Sequence, residues 1–143
     1  MKRLLPFVLA LLPAVAWASP LLTPAELSAR LNDPSLRIVD IRDGRDDAGR
    51  TPYDKGHIAG SVHAPYGLWR GPADNPGKLP DEAALTKLVQ RLGIAADTRA
   101  VIVFAGRDST DFGAAARVYW TLKAIGVRAP AILNGGLKAW QAA

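Results

Sequence analysis

Cysteine is absent from all 143 residues. This excludes a disulfide framework, a thiolate metal site and a cysteine nucleophile within the chain. Histidine is scarce, with only His57 and His63. No Asp or Glu lies between them, so the spacing gives no metal pair. Long runs of one charge are missing too. The balance of 18 basic and 13 acidic residues gives a formal +5, and neither nucleic acid nor a membrane surface is indicated as a partner. There is no GxxxxGK[ST] for a nucleotide and no G-x-S-x-G around Ser109 for a serine hydrolase. No internal repeat or low-complexity linker is present, and the length suits one domain.

What the chain does have is unevenly spread. The overall hydrophobic share is 49%, and 14 of the first 18 residues are apolar. Lys2 and Arg3 precede an apolar stretch from Leu4 to Ala16, which closes as Ala16-Trp17-Ala18. A basic start, an apolar stretch of this length and an A-x-A end describe a secretory signal peptide. The expected domains are thus a signal over 1–18, cut after Ala18, and one folded unit over 19–143. Pro6 and Pro13 interrupt the run, which is shorter than a spanning helix needs. No stable membrane span is expected, and the location expected is periplasmic or secreted. The remaining 125 residues carry a formal +3. Without disulfides they must be held by a packed core, which that length can supply.

This remainder alternates two patterns. Thr23-Pro24-Ala25-Glu26 reads as a capping box with proline at the first helical position, and Leu27 and Leu31 follow on one face. Leu36–Ile41 reads as a buried strand, 43–55 as a polar loop, and Ser61–Ala64 as a short strand. Trp69–Pro80 is irregular. Asp81 caps a helix with Leu85, Leu88, Val89 and Leu92 at helical spacing, stopped by Gly93. Ala100–Phe104 is the strongest strand. A polar loop over Gly106–Thr110 follows, and then a helix from about Asp111 to Ile125. Ala131–Leu133 is a last strand, Asn134-Gly135-Gly136 a turn, and Leu137 the start of another helix. Strands apolar on both sides, separated by helices, imply an α/β fold with a central, mostly parallel sheet covered on both faces. Ligands of such sheets sit beyond the carboxyl ends of the strands.

That rule points to the loop after Phe104. Two readings stand there. Gly106, Arg107, Ser109 and Thr110 are a candidate anion-binding loop at a helix N-terminus; alternatively, the loop is merely solvated, with Thr110 or Asp111 capping the helix. Tyr66, Trp69 and Arg70 are a candidate cleft or partner surface, or a loop packed on its own domain. His57 reads as a turn residue bonded to nearby backbone, and His63 as a packing residue. Asp40 and Arg42 share one face of their strand. Trp120 and Trp140 read as core or interface anchors. Neither a metal nor a cofactor is implied.

Several of these segments, in order, resemble the rhodanese (sulfurtransferase) family. Ile38-Val39-Asp40-Ile41-Arg42 is similar to its Asp-x-Arg strand, and Gly56-His57-Ile58-Ala59-Gly60-Ser61 to its Gly-His-Ile-x-Gly turn. Val101–Phe104 resembles the strand that delivers the active-site loop. Asn134-Gly135-Gly136-Leu137-Lys138-Ala139-Trp140 resembles the closing motif. The resemblance covers about Leu21 to Ala143. It implies sulfane-sulfur transfer through a cysteine persulfide, stabilised by the loop's backbone N–H groups. Here Ala105 stands where that cysteine would follow the strand, so the resemblance implies a pseudo-active site. An alanine methyl forms no persulfide. Arg107 matches a loop arginine in kind, within a loop that is longer here.

The segments 64–70 and 115–120 resemble the non-catalytic first domain of tandem rhodaneses, whose second domain carries the cysteine. The expectation is one domain of an exported thiosulfate-type sulfurtransferase, inactive alone. Its implied partners are a second rhodanese domain and a small sulfur-containing anion. The chain stops three residues after Trp140, and a truncated C-terminal helix is expected. The rival expectation is a free-standing periplasmic module that binds an anion or a protein.

Overall fold

The computed structural model describes residues 19–143, so the signal expected over 1–18 lies outside the described residues. Five strands form one sheet: β1 (Leu21–Leu22), β2 (Leu36–Asp40), β3 (Val62–His63), β4 (Arg99–Val103) and β5 (Ala131–Leu133). Their order across the sheet is β1-β5-β4-β2-β3, and every pairing is parallel. Among the described residues the helices are α1 (Pro24–Ser28), α2 (Glu82–Arg91) and α3 (Ser109–Ala124), which lie between strands in the chain, and α4 (Gly136–Ala142), which follows β5. A 3-10 turn occupies Tyr66–Trp69.

Parallel strands buried on both faces need apolar side chains on both faces. β4 supplies them in alternation. Ala100 and Ile102, with Phe104 beyond the strand end, join a core with Leu85 and Leu88 of α2 and Val118 and Leu122 of α3. Val101 and Val103 point the other way and pack with Leu27 of α1 and Leu137 of α4. One strand thus anchors both layers. Its register with β2 runs over five residue pairs, from Leu36–Arg99 to Asp40–Val103.

The helix ends follow from their caps. Thr23 accepts from the Glu26 N–H at 3.2 Å while the Glu26 carboxylate accepts from the Thr23 N–H at 2.8 Å. Asp81 caps α2 through the Ala84 N–H at 2.8 Å. Two boundaries differ from the sequence reading. α1 ends at Ser28, and Leu31 is exposed instead of sharing its buried face with Leu27. α3 starts at Ser109, and its cap is Asp108, not Thr110 or Asp111. Asp108 wins because its carboxylate accepts from the Asp111 N–H at 2.9 Å, which draws Ser109 and Thr110 into the first turn. β1 and the 3-10 turn have no sequence signature, being too short to show a period. Among the described residues no helix is long and apolar enough to cross a membrane.

Candidate functional site

The carboxyl ends of β2 and β4 lie side by side, and the chain leaves each into a loop. The β2 loop is built around a buried ion pair. Arg42 grips Asp40 in two-point fashion, Nε to Oδ1 at 2.9 Å and Nη2 to Oδ2 at 2.7 Å. Asp40 is 1% exposed and the Arg42 side chain 9%. Such burial is tolerable only when both charges are paired and hydrogen-bonded. Arg42 Nη2 also donates to the Gly56 carbonyl at 2.6 Å, tying the far end of the loop to the strand.

Aromatic stacking completes this loop. The Tyr53 ring lies flat between His57, with centroids 3.8 Å apart, and His63, at 4.8 Å. Tyr53 donates its hydroxyl to the Ser61 carbonyl at 2.6 Å. His57 Nδ1 donates to the Tyr53 carbonyl and His63 Nε2 to the Arg42 carbonyl, both at 2.9 Å. Both histidines therefore hold backbone, which is the role the sequence reading gives His57. Upstream, Asp54 accepts from the Thr51 N–H and hydroxyl, each at 2.8 Å. These bonds, the Thr51 N–H first, hold the Asp54 carboxyl below its usual range, helped by the charges of Arg45 and His63.

The β4 loop is different. Phe104 is buried and Ala105 is the first residue past it. The Asn134-Gly135-Gly136 turn clamps the loop from below. Leu137 N–H donates to the Phe104 carbonyl at 2.8 Å and Lys138 N–H to the Ala105 carbonyl at 3.1 Å. The approach is so close that a Cβ on Gly136 would lie 2.5 Å from the Phe104 carbonyl oxygen and 2.8 Å from the Gly106 nitrogen. Gly136 also has φ +63°, where side chains are strained. Gly136 is thus required because the turn presses its backbone onto the loop, whereas a Cβ on Gly135, at φ +74°, would lie 2.6 Å from the Ala139 side chain of α4.

Beyond Ala105 the chain curls over its own helix start. Gly106 and Arg107 donate their N–H groups to Asp111 Oδ2 at 2.8 and 3.0 Å. The Arg107 guanidinium reaches to within 3.8 Å of Asp111 Oδ1, while its side chain stays 75% exposed. Ser109 and Thr110 are exposed in the first turn of α3.

A cavity of about 540 Å³ opens between the two loops, lined by Arg42, Tyr66, Arg70, Ala105, Arg107 and Thr110 among others. It brings together Tyr66, Arg70, Arg107 and Thr110 of the expected site residues, with Ala105. Gly106, Ser109 and Trp69 do not line it. Trp69 is fully buried and donates its indole N–H to the Ala64 carbonyl at 3.1 Å, so it supports the wall from within and presents no surface. The Arg70 guanidinium stands 5.5 Å from the Tyr66 ring centroid, a cation–π distance. The residue that sequence reasoning misses is Asp111, which it weighs only as a cap. An Asp in the first turn looks like any helix-start acid; the curl that turns its carboxylate onto the loop has no sequence signature. Among the described residues no group of three or more Asp, Glu or His is placed to hold a metal ion.

Comparison with known proteins agrees with this geometry. The model of the rhodanese-like domain family matches residues 23–143. The thiosulfate sulfurtransferase of Azotobacter vinelandii is 37% identical over 120 residues, covering 83% of this chain and 41% of that protein. The 3-mercaptopyruvate sulfurtransferase of Escherichia coli is 29% identical over 120 residues, covering 80% and 41%. The crystal structure of SseA from Escherichia coli, a 3-mercaptopyruvate sulfotransferase described as having the rhodanese fold, superposes with a TM-score of 0.68 at 25% identity, over 85% of this chain and 47% of that one. The chain thus spans less than half the length of these relatives. With a buried Asp40–Arg42 pair, a glycine turn clamping the β4 loop and a family match over nearly the whole described structure, this chain belongs to the rhodanese-like domain family.

Proposed function

We propose that this chain is a non-catalytic rhodanese-like domain of an exported sulfurtransferase, acting beside a second domain that carries the nucleophilic sulfur. The observation that carries this reading is Ala105. It lines the cavity just past the end of β4, where a methyl group stands in place of any nucleophile. The chain has no cysteine elsewhere to take over the role. Strand, loop and following helix are all formed around that position, which supports a loss of the nucleophile and not of the framework.

Two further features support the reading. The relatives of known length are more than twice as long as the matched segment, which leaves room in them for another such unit. Phe112, Trp120 and Leu68 are 40%, 51% and 45% exposed, an apolar display that a companion domain would shield. The role of Tyr66, Arg70 and Arg107 is then to line a shared cleft. There the two guanidinium groups would face a small sulfur-containing anion such as thiosulfate. Export with cleavage after Ala18 is part of the same proposal; N-terminal sequencing of the mature protein should begin at Ser19.

The purified chain should transfer no sulfur from thiosulfate to cyanide above background, and turnover by it would overturn the reading. The gene beyond the Ala143 codon should continue in frame into a second rhodanese-like unit with a cysteine after its central strand; a stop codon there would count against it.

A further inference from the structure

The β4 loop carries an anion of its own. Two consecutive backbone N–H groups that converge on one point form a nest for negative charge. Here that point is Asp111 Oδ2, at 2.8 Å from the Gly106 nitrogen and 3.0 Å from the Arg107 nitrogen. The Asp111 side chain is only 13% exposed, so the carboxylate sits in the loop and not in solvent. Its own backbone is fixed by α3, and the loop backbone it accepts from is fixed by the Gly135-Gly136 clamp. A carboxylate tethered in this way competes with any dissolved anion at a high effective concentration. Asp111 and Ala105 line the same cavity, and the amides that Asp111 occupies belong to the two residues that follow Ala105, so a thiolate introduced at 105 would find those donors taken and a carboxylate on them.

We propose that Asp111 is a specificity-determining residue of this loop: its carboxylate fills the amide cradle as a built-in anion. The cradle therefore rejects small external anions, and a cysteine introduced in place of Ala105 stays unreactive until Asp111 is changed. The inference rests on the reading of the chain as a degenerate rhodanese-like domain. It adds that the site is disabled at two independent positions, 105 and 111. It also assigns any anion contact in the cleft to the arginine side chains and not to the loop backbone.

The test uses the full chain in three forms: Ala105→Cys, Ala105→Cys with Asp111→Asn, and Ala105→Cys with Asp111→Ala. Asparagine keeps an oxygen to accept both N–H groups but loses the charge; alanine removes both. The first readout is the rate of alkylation by iodoacetamide at neutral pH, which reports the thiolate fraction. The second is persulfide formation with thiosulfate, followed by mass spectrometry. In that step the introduced thiolate attacks the sulfane sulfur, the S–S bond of thiosulfate breaks, and sulfite leaves with the electron pair. The new S–S bond joins the sulfane sulfur to the introduced side chain, which gains one sulfur atom and carries the negative charge on its terminal sulfur.

Both rates should rise in the order given, by roughly tenfold from the single variant to the Asp111→Ala form, as expected for a thiolate gaining amide donors and losing a carboxylate neighbour. Equal rates in all three forms, whether fast or slow, would overturn the proposal. Should Asp111→Ala melt early, the Asn form carries the comparison alone, since it keeps the volume and an acceptor; it must still exceed the single variant. Equal thiol rates would leave the non-catalytic reading standing, whereas sulfur transfer by the unmutated chain would remove that reading and leave the thiol comparison intact.

Discussion

Two loops leave the same edge of one sheet, and each is organised by an aspartate. After β2, Asp40 is buried, holds Arg42 by two guanidinium nitrogens, and through it fastens Gly56. After β4, Asp111 reaches back over exposed backbone and holds Gly106 and Arg107. The first carboxylate partners a charge withdrawn from water. The second partners two amides, one of them exposed, and a guanidinium that is largely solvated. The same functional group is therefore structural in one loop and occupies a binding position in the other. If the proposed reading holds, the Asp40–Arg42 loop belongs to the framework of the fold and the Asp111 loop to its chemistry.

The sharpest way to break the comparison is to remove each carboxylate in turn. Asp40→Ala leaves Arg42 buried and unpaired, which should cost about 3–5 kcal/mol. That is a large share of the about 5–15 kcal/mol of a typical domain, and urea denaturation should show the midpoint collapse. Asp111→Ala removes two hydrogen bonds to a charged acceptor, one of them at an exposed amide that water can satisfy, and should cost less, about 1–2 kcal/mol. Similar losses for the two would mean that the β4 loop is as structural as the β2 loop.

Next in size is the clamp of the Asn134-Gly135-Gly136 turn on the β4 loop. Gly136→Ala adds a methyl within 2.5 Å of the Phe104 carbonyl at a backbone angle that disfavours it. A cost of about 2–3 kcal/mol is expected from strain and displaced backbone. The damage should centre on Ala105 and Gly106, so hydrogen exchange should accelerate at their amides before it does so in α2. Uniform exchange across the chain would mean that the turn supports the whole fold and not the loop.

How much of this the sequence discloses depends on the length over which a signal repeats. The Ala100–Phe104 run declares a strand buried on both faces, and with it the α/β architecture, because five apolar residues in a row fit little else. Asp40 and Arg42 are legible as a same-face pair from the strand period alone. Two Thr-Pro-x-acid tetrads occur, Thr23–Glu26 and Thr51–Asp54, and both form reciprocal hydrogen bonds. The first reads as a capping box because apolar residues follow it, whereas the second vanishes into a loop because none do. For Trp69 the irregular neighbours leave a partner surface and a loop packed on its own domain both open, and a short 3-10 turn decides for the second by rotating it fully into the core. Asp111 is invisible for another reason. Its role depends on where the loop backbone turns, and that is decided by distant Gly135 and Gly136.

The smallest effect expected is with acid, and it probes the β2 loop. Asp54 and Asp46 of the β2 loop both have carboxyl groups held below the usual range. For Asp54 the Thr51 N–H and hydroxyl are the main cause; for Asp46 it is the Lys55 ammonium and then the Arg50 backbone N–H. A carboxyl with a lower pKa in the folded state than in the unfolded chain binds protons more weakly when folded. Its stabilisation is complete above the unfolded value of about 4 and fades as pH falls through the lower folded value. Stability should thus be flat in this respect between about pH 7 and 5, and should decline only below about 4. Asp54→Asn, which keeps an acceptor oxygen but cannot titrate, should be somewhat less stable than the parent at neutral pH, and the gap should narrow in acid as the parent loses its advantage. Melting curves recorded across that range decide the matter: a gap that stays constant down to about pH 2.5 would show that the Thr51–Asp54 bonds do not favour the charged carboxylate over the neutral group.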